Sequence, residues 1–279
     1  MPWATIAGSV IGPSTSPAQG REQPWRSLLA TWWPRLLPGI AAGSTHGVIR
    51  VGHAVRTLSA GDESRAAVDE LAYGLAFWAA RSRPLPGVVA PTGALGASAA
   101  LERVPRLADQ SGFIAHRLDR LAQLDGWSPA LASLAAPLQA TEVPARLAEL
   151  VDAATLHYLS YGHGSPVLLV HTATAPNAVL HTLPVLPTDL WASSYAAAWA
   201  ASAAVIATYA PRLPALRDDV PAAPRADDGA ALVLDRAAHH SDEHVIKFSD
   251  TAVEVFDRTG NADALAAAVR AGQLIGRPG

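Results

Sequence analysis

The chain of 279 residues contains no cysteine and a single methionine. Without a thiol, disulfide staples, thiolate-held metals and a cysteine nucleophile are all excluded. Any metal would have to be held by histidine, carboxylate or a modified side chain. Lysine is almost missing as well: of the 21 Lys and Arg residues, only Lys247 is lysine. There is no run of basic residues, and a formal charge of −3 leaves no electrostatic footprint for nucleic acid. Charged residues make up 16% of the chain and apolar residues 50%, a globular composition with a sizeable core rather than a disordered one. The N-terminus has no charged segment ahead of its weak apolar stretch, so it does not read as a secretory signal. Two uncharged spans, 153–188 and 190–211, bear on membrane insertion. The first is broken by proline and histidine, and the second is mostly Ala and Ser. Both read as core helices of a soluble cytoplasmic protein with no membrane partner.

Abundant alanine and scattered β-branched residues favour helices packed closely on small side chains. Residues 1–23, rich in Gly, Ser and Pro, read as an irregular N-terminal arm. The remainder, 24–279, reads as one all-α domain. A helix over 24–37 is interrupted by Pro34. The next starts at a Ser44 or Thr45 cap and stops at Gly61, and a long amphipathic helix covers 62–83. Shorter helical patterns follow at 96–108, 113–124, 128–136 and 143–159, then longer ones at 166–186 and 189–209. The Pro-rich stretch 211–230 reads as a surface connection to helices over 230–240, 242–259 and 261–273. Gly260 marks a C-cap, and Asn261 or Asp263 can cap the last helix. "VLLVHTAT" (167–174) is the one run that could instead be a short buried strand.

Ten histidines make up the inventory of possible ligands. His46 and His53 lie seven residues apart, about 10.5 Å along a helix, so they share one small ion only if their side chains converge. His171 stands in an apolar segment and needs a partner, since unpaired burial is costly. It is either a ligand or a satisfied core group. His163 reads as a loop residue, His116 as solvated, His157 as core, and His239 and His240 as cations at a helix end. His244 and Lys247 fall on one face, one turn into a helix that Ser241 or Asp242 caps. A lysine head that merely reaches water could be arginine, and in this chain every other Lys or Arg position is arginine. Lysine differs in being able to lose its proton and act as a nucleophile. Such an amine can form a Schiff base, or take up CO2 as a carbamate that behaves as a carboxylate. Beside His244 that would give an N,O site suited to a first-row metal such as Fe(II).

Three segments carry a likeness to a known family: 36–80, with "STHGVIRVGH"; 165–187, with "HTAT"; and 241–271, with "SDEHVIK". In them the chain resembles the questin oxidase-like family. The resemblance implies an oxygenase acting on polycyclic aromatic polyketides of the anthraquinone or hydroquinone type, by Baeyer–Villiger-type or dioxygenase ring opening. It fits a non-haem Fe(II), with Mn or Zn as alternatives, and O2 as co-substrate. His46, His171, His244 and carbamylated Lys247 are the expected ligands, with His53 a further ligand or an orienting group. Arg50 is the candidate to steady a phenolate, and Trp78, Trp191 and Trp199 are candidates to wall a pocket for a flat ligand. The chain is shorter than the fungal members, which leaves the substrate open. NADPH has no support, because "GALGAS" (93–98) lacks the strand context of a dinucleotide fingerprint. Two other readings stand beside this one. The first is a metal-free enzyme using Lys247 as amine or base, and the second is a non-catalytic helical protein that binds an aromatic metabolite.

Overall fold

A computed structural model describes residues 24–224 and 228–277, so the expected arm over 1–23 lies outside the described residues. The chain is all-α. The helices are α1 (Pro24–Leu36), α2 (His46–Ser59), α3 (Arg65–Arg81), α4 (Ala97–Glu102), α5 (Ile114–Arg120), α6 (Trp127–Ser133) and α7 (Val143–Tyr161). They continue as α8 (Pro166–Leu169), α9 (His171–Thr182), α10 (Trp191–Tyr209), α11 (Gly229–His240), α12 (Glu243–Thr259) and α13 (Asp263–Leu274). Extended pairing among the described residues amounts to two isolated parallel bridges, Gly93 with Ala135 and Leu95 with Leu134. The ambiguous 167–174 run is helical, split between α8 and α9 at Val170.

Local signals place several helix ends. Ser64 accepts from the Ala67 amide to start α3, and Asp242 accepts from His244 N and Val245 N to start α12. Gly260 adopts φ +70° and stops α12, and Asn261 Oδ1 accepts from the Asp263 amide beyond it. Pro34 does not break α1, because it sits in the last turn.

The Ala-rich α10 forms a central column, with Ala201, Ala203, Ala204 and Ala207 fully buried. It is the one described helix long and apolar enough to cross a membrane, and 67% of its most apolar window is buried inside the protein. Trp78, Trp191 and Trp199, expected to wall a pocket, are part of the packing between helices instead. Trp78 and Trp199 are buried, donating to Gly39 O and Leu131 O, while Trp191 donates to Leu186 O. A tryptophan pointing inward is most stable when its N–H is paired with a carbonyl, and each of these three reaches one, Trp191 at the edge of the core.

α2 is held between α3 and α9. Two glycines allow the approach. A Cβ on Gly47 would lie 2.6 Å from Trp78 Cβ, and one on Gly52 would lie 2.6 Å from Ala178 Cβ and 2.8 Å from its Cα. Gly52→Ala must therefore push α2 away from α9, and we expect a loss of about 1–3 kcal/mol in urea denaturation, typical of overpacking.

His157 tests the core electrostatically. It is buried and stacks on Tyr161 with ring centroids 4.3 Å apart. Burial, reinforced by the positive charge of Arg106, pushes its pKa down from 6.5 to about 3. The folded state thus binds the proton less well than the unfolded chain. This contribution is complete above pH 6.5 and is lost as pH falls toward 3, at about 1.4 kcal/mol per unit. Between pH 7 and 5, wild type is expected to lose about 2 kcal/mol more than His157→Phe in chemical denaturation.

Candidate metal centre

The three histidines singled out at 46, 171 and 244 come together. Their candidate ligand nitrogens all lie within 4.8 Å of one another, and their ring centroids are 4.7, 5.7 and 5.5 Å apart, edge to face. Nitrogens bound to one ion at about 2.1 Å can be at most about 4.2 Å apart. Small side-chain rotations therefore suffice to close the group. Each histidine stands in the first turn of its helix: His46 opens α2, His171 opens α9, and His244 is the second residue of α12.

The ring orientations follow from their second nitrogens. His46 Nδ1–H donates to Gly43 O at 2.8 Å. Because a carbonyl can only accept, Nε2 of the neutral ring keeps its lone pair. His171 Nδ1 lies 3.1 Å from Thr45 Oγ1. His244 Nδ1 lies 3.3 Å from Asp242 Oδ1, without the alignment of a hydrogen bond. His46 Nε2 and His171 Nε2 are both buried and have no partner within the protein. Two buried ring nitrogens without partners, facing a third histidine, are a donor set that fits a metal ion.

Burial lowers the pKa of both rings. His171 falls well below 6.5, with His46, His244 and Lys247 adding to the shift. His46 is also lowered, mainly by burial, against the opposing hydrogen bond to Gly43. Both rings are therefore neutral near pH 7, the form that ligates.

The turn ahead of α2 supplies both contacts and is strained. Gly43, Ser44 and Thr45 have φ of +59°, +56° and +61°. Positive φ at a β-branched residue is rare, and Thr45 is fully buried. Thr45 does not cap α2 with its hydroxyl as expected; left-handed backbone turns that hydroxyl toward His171 instead. Strain of this kind persists only where the surroundings enforce it.

The remaining expected residues stand as follows. His53 is exposed, two turns along α2 and outside the group of three, in keeping with the spacing arithmetic. Lys247 does not sit in an apolar pocket: its side chain is 23% exposed and Nζ donates to Glu243 Oε2 at 3.0 Å. Its neighbour Ile246 is 42% exposed, while Val245 and Phe248 face the core. Arg50 is held by Glu70 through two bonds, Nε to Oε1 at 2.5 Å and Nη2 to Oε2 at 2.8 Å. His240 stands at the helix end as expected, but is buried there and bonds Ile275 O through Nε2. His46, Arg50, His53, Lys247 and Glu243 line one cleft of about 570 Å³, where Phe77 is the aromatic.

Glu243, which is not among the expected ligands, brings a carboxylate to 3.8 Å from His244 Nε2. The Thr45 contact with His171 spans 126 residues and only the tertiary fold makes it, whereas the Gly43 carbonyl meets His46 within one turn whose left-handed backbone the residue types at 44 and 45 do not announce. Glu243 could have been found, as it adjoins His244 and lies one turn before Lys247. If the Thr45 hydroxyl orients His171, Thr45→Val should weaken Zn(II) binding about 10–100-fold in a competitive chelator titration, while Thr45→Ser stays near wild type. Comparison of the chain with models of protein families, with curated proteins and with solved structures found no match.

Proposed function

We propose that the protein is a cytoplasmic non-haem metal-dependent oxygenase, with Fe(II) as its metal, that oxidises a polycyclic aromatic polyketide. The observation that carries this reading is the pair of buried, partnerless Nε2 atoms of His46 and His171 beside His244. The likeness of the three histidine- and lysine-bearing segments to questin oxidase-like proteins supplies the reaction class: oxygenation, with ring cleavage as one outcome. Bound iron would supply O2 binding and one-electron chemistry that amino-acid side chains lack.

The chain's own residues provide the rest. Gly43 O keeps the His46 proton on Nδ1, so that Nε2 stays free. The cleft beside the group is large enough for a flat ligand, with Ile49, Ala54 and Phe77 among its apolar lining. Arg50, fixed by Glu70, offers positive charge on that wall for a phenolate. Carbamylation of Lys247 would take one proton from the ammonium now paired with Glu243, join the freed amine nitrogen to CO2 and release a second proton, leaving a carbamate carboxylate in its place.

The Glu243 carboxylate near His244 supports a second ligand set, in which Glu243 is the anionic ligand and Lys247 stays an amine. Two substitutions separate the two. After anaerobic loading with Fe(II), metal content by mass spectrometry and O2 uptake with an anthraquinol substrate are measured. With carbamylated Lys247 as ligand, Lys247→Arg loses most iron and lowers uptake at least tenfold, while Glu243→Gln retains both; with Glu243 as ligand the pattern reverses. Wild-type protein that takes up no stoichiometric metal would overturn the oxygenase reading.

A further inference from the structure

The face of α12 opposite the histidines borders a second cleft. His244 and Lys247 look toward α2 and α9, whereas Val245 and Ser249, one turn apart, line a cleft of about 490 Å³ between α11, α12 and α13. Its floor is apolar, with Val233, Ala237, Val245 and Ala268 buried but bordering the space, while Ser249, His240 and Gln273 bring polar groups to the walls. Its rim is cationic. Arg236 on α11 and Arg277 after α13 both line it, and among the described residues neither has a hydrogen-bond or ion-pair partner. Most other arginines near a folded wall are engaged: Arg50 with Glu70, Arg56 with Asp250, Arg258 with Asp152. Asp235, the one acid at the rim, is 3.4 Å from His239 Nδ1. His240 holds the segment that carries Arg277 in place, bonding Ile275 O at 3.0 Å.

From this pairing of an apolar floor with two partnerless guanidinium groups, we infer that the cleft is a binding site for a small amphipathic carboxylate. The apolar body would lie against the valines, and the carboxylate would take the planar donors of Arg236 and Arg277. The volume falls in the range of small-molecule sites and suits a bicyclic or medium-chain acid. The site does not depend on a metal and is separate from the cleft beside His46, since the two share no lining residue.

The test is titration of the protein with 2-naphthoate by calorimetry, with 2-naphthylmethanol as the uncharged counterpart. Saturable 1:1 binding of naphthoate is expected, at least tenfold tighter than that of the alcohol and weakening with added NaCl. Arg236→Gln/Arg277→Gln should weaken it at least tenfold. Both arginines are exposed, so the fold should be retained, and an unchanged melting temperature checks this. Phe77→Ala, in the other cleft, should leave naphthoate binding unchanged. Absence of saturable binding, equal binding of the alcohol, indifference to the arginine substitutions, or loss in Phe77→Ala would each overturn the assignment. Naphthoate binding that survives in a protein that takes up no metal would leave this site standing while the oxygenase reading falls.

Discussion

The close approach of α2 to α9 is the constraint on which the rest of the site depends. At Gly52 the backbone of α2 lies so near Ala178 that even a methyl group has no room, and at Gly47 the opposite side is filled by Trp78. Helices this close bring the starts of α2 and α9 together, and with them His46 and His171. Trp33 reinforces the wall behind: it meets Trp78 edge to face at 5.5 Å and donates to Ser194 on α10. α12 is added from the other side by Arg56, which bonds Asp250 and Glu254, and by Asn177, which bonds Thr251 and Glu254. These polar ties fix the register that presents His244 to the other two rings.

Given that frame, the left-handed turn at 43–45 has an evident cause. The chain must pass from the 3-10 turn at Leu37–Gly39 into α2 while facing both α3 and α9. A relaxed cap would leave Thr45 pointing at its own helix. The left-handed path costs conformational energy at Ser44 and Thr45 and directs the turn's polar groups, Gly43 O and Thr45 Oγ1, at the two rings. A protein without need of those contacts would have little reason to keep a buried threonine in that conformation.

Much of this was legible in the sequence, for identifiable reasons. Periodic apolar residues bounded by Gly and Pro gave the helices, because those signals act locally; Gly260 and Asp242 behave as their residue types require. The gathering of His46, His171 and His244 was legible only through resemblance, since spacing alone left ligand and core roles open for His46 and His171 and tied His244 only to Lys247. The break at Val170 was not legible, as neither Gly nor Pro stands there and the stretch is apolar throughout. The tryptophans were misread because burial propensity says that a residue goes inside, not which inside surface it meets. An apolar neighbour in sequence does not bury Lys247 either, because one residue along a helix turns about 100° and Ile246 points outward.

Charge balance ties these pieces together. Helix starts carry partial positive charge, and His46 and His244 stand at two of them. Lowered proton affinity keeps His46 and His171 neutral, so the rings offer lone pairs within a positive potential. A dication in the proposed centre would add two further charges, and the nearby ammonium of Lys247 opposes it. Of the adjacent anions, Asp242 is engaged by the amides of His244 and Val245, and Glu243 is engaged by Lys247. Metal occupancy therefore favours one of two rearrangements. Glu243 can turn from Lys247 to the ion, or Lys247 can exchange its positive charge for the negative charge of a carbamate, and only the second also removes the repulsion. An arginine at 247 could keep the pairing with Glu243 but could never make that exchange, which gives a physical reason for the single lysine of the chain to lie beside His244.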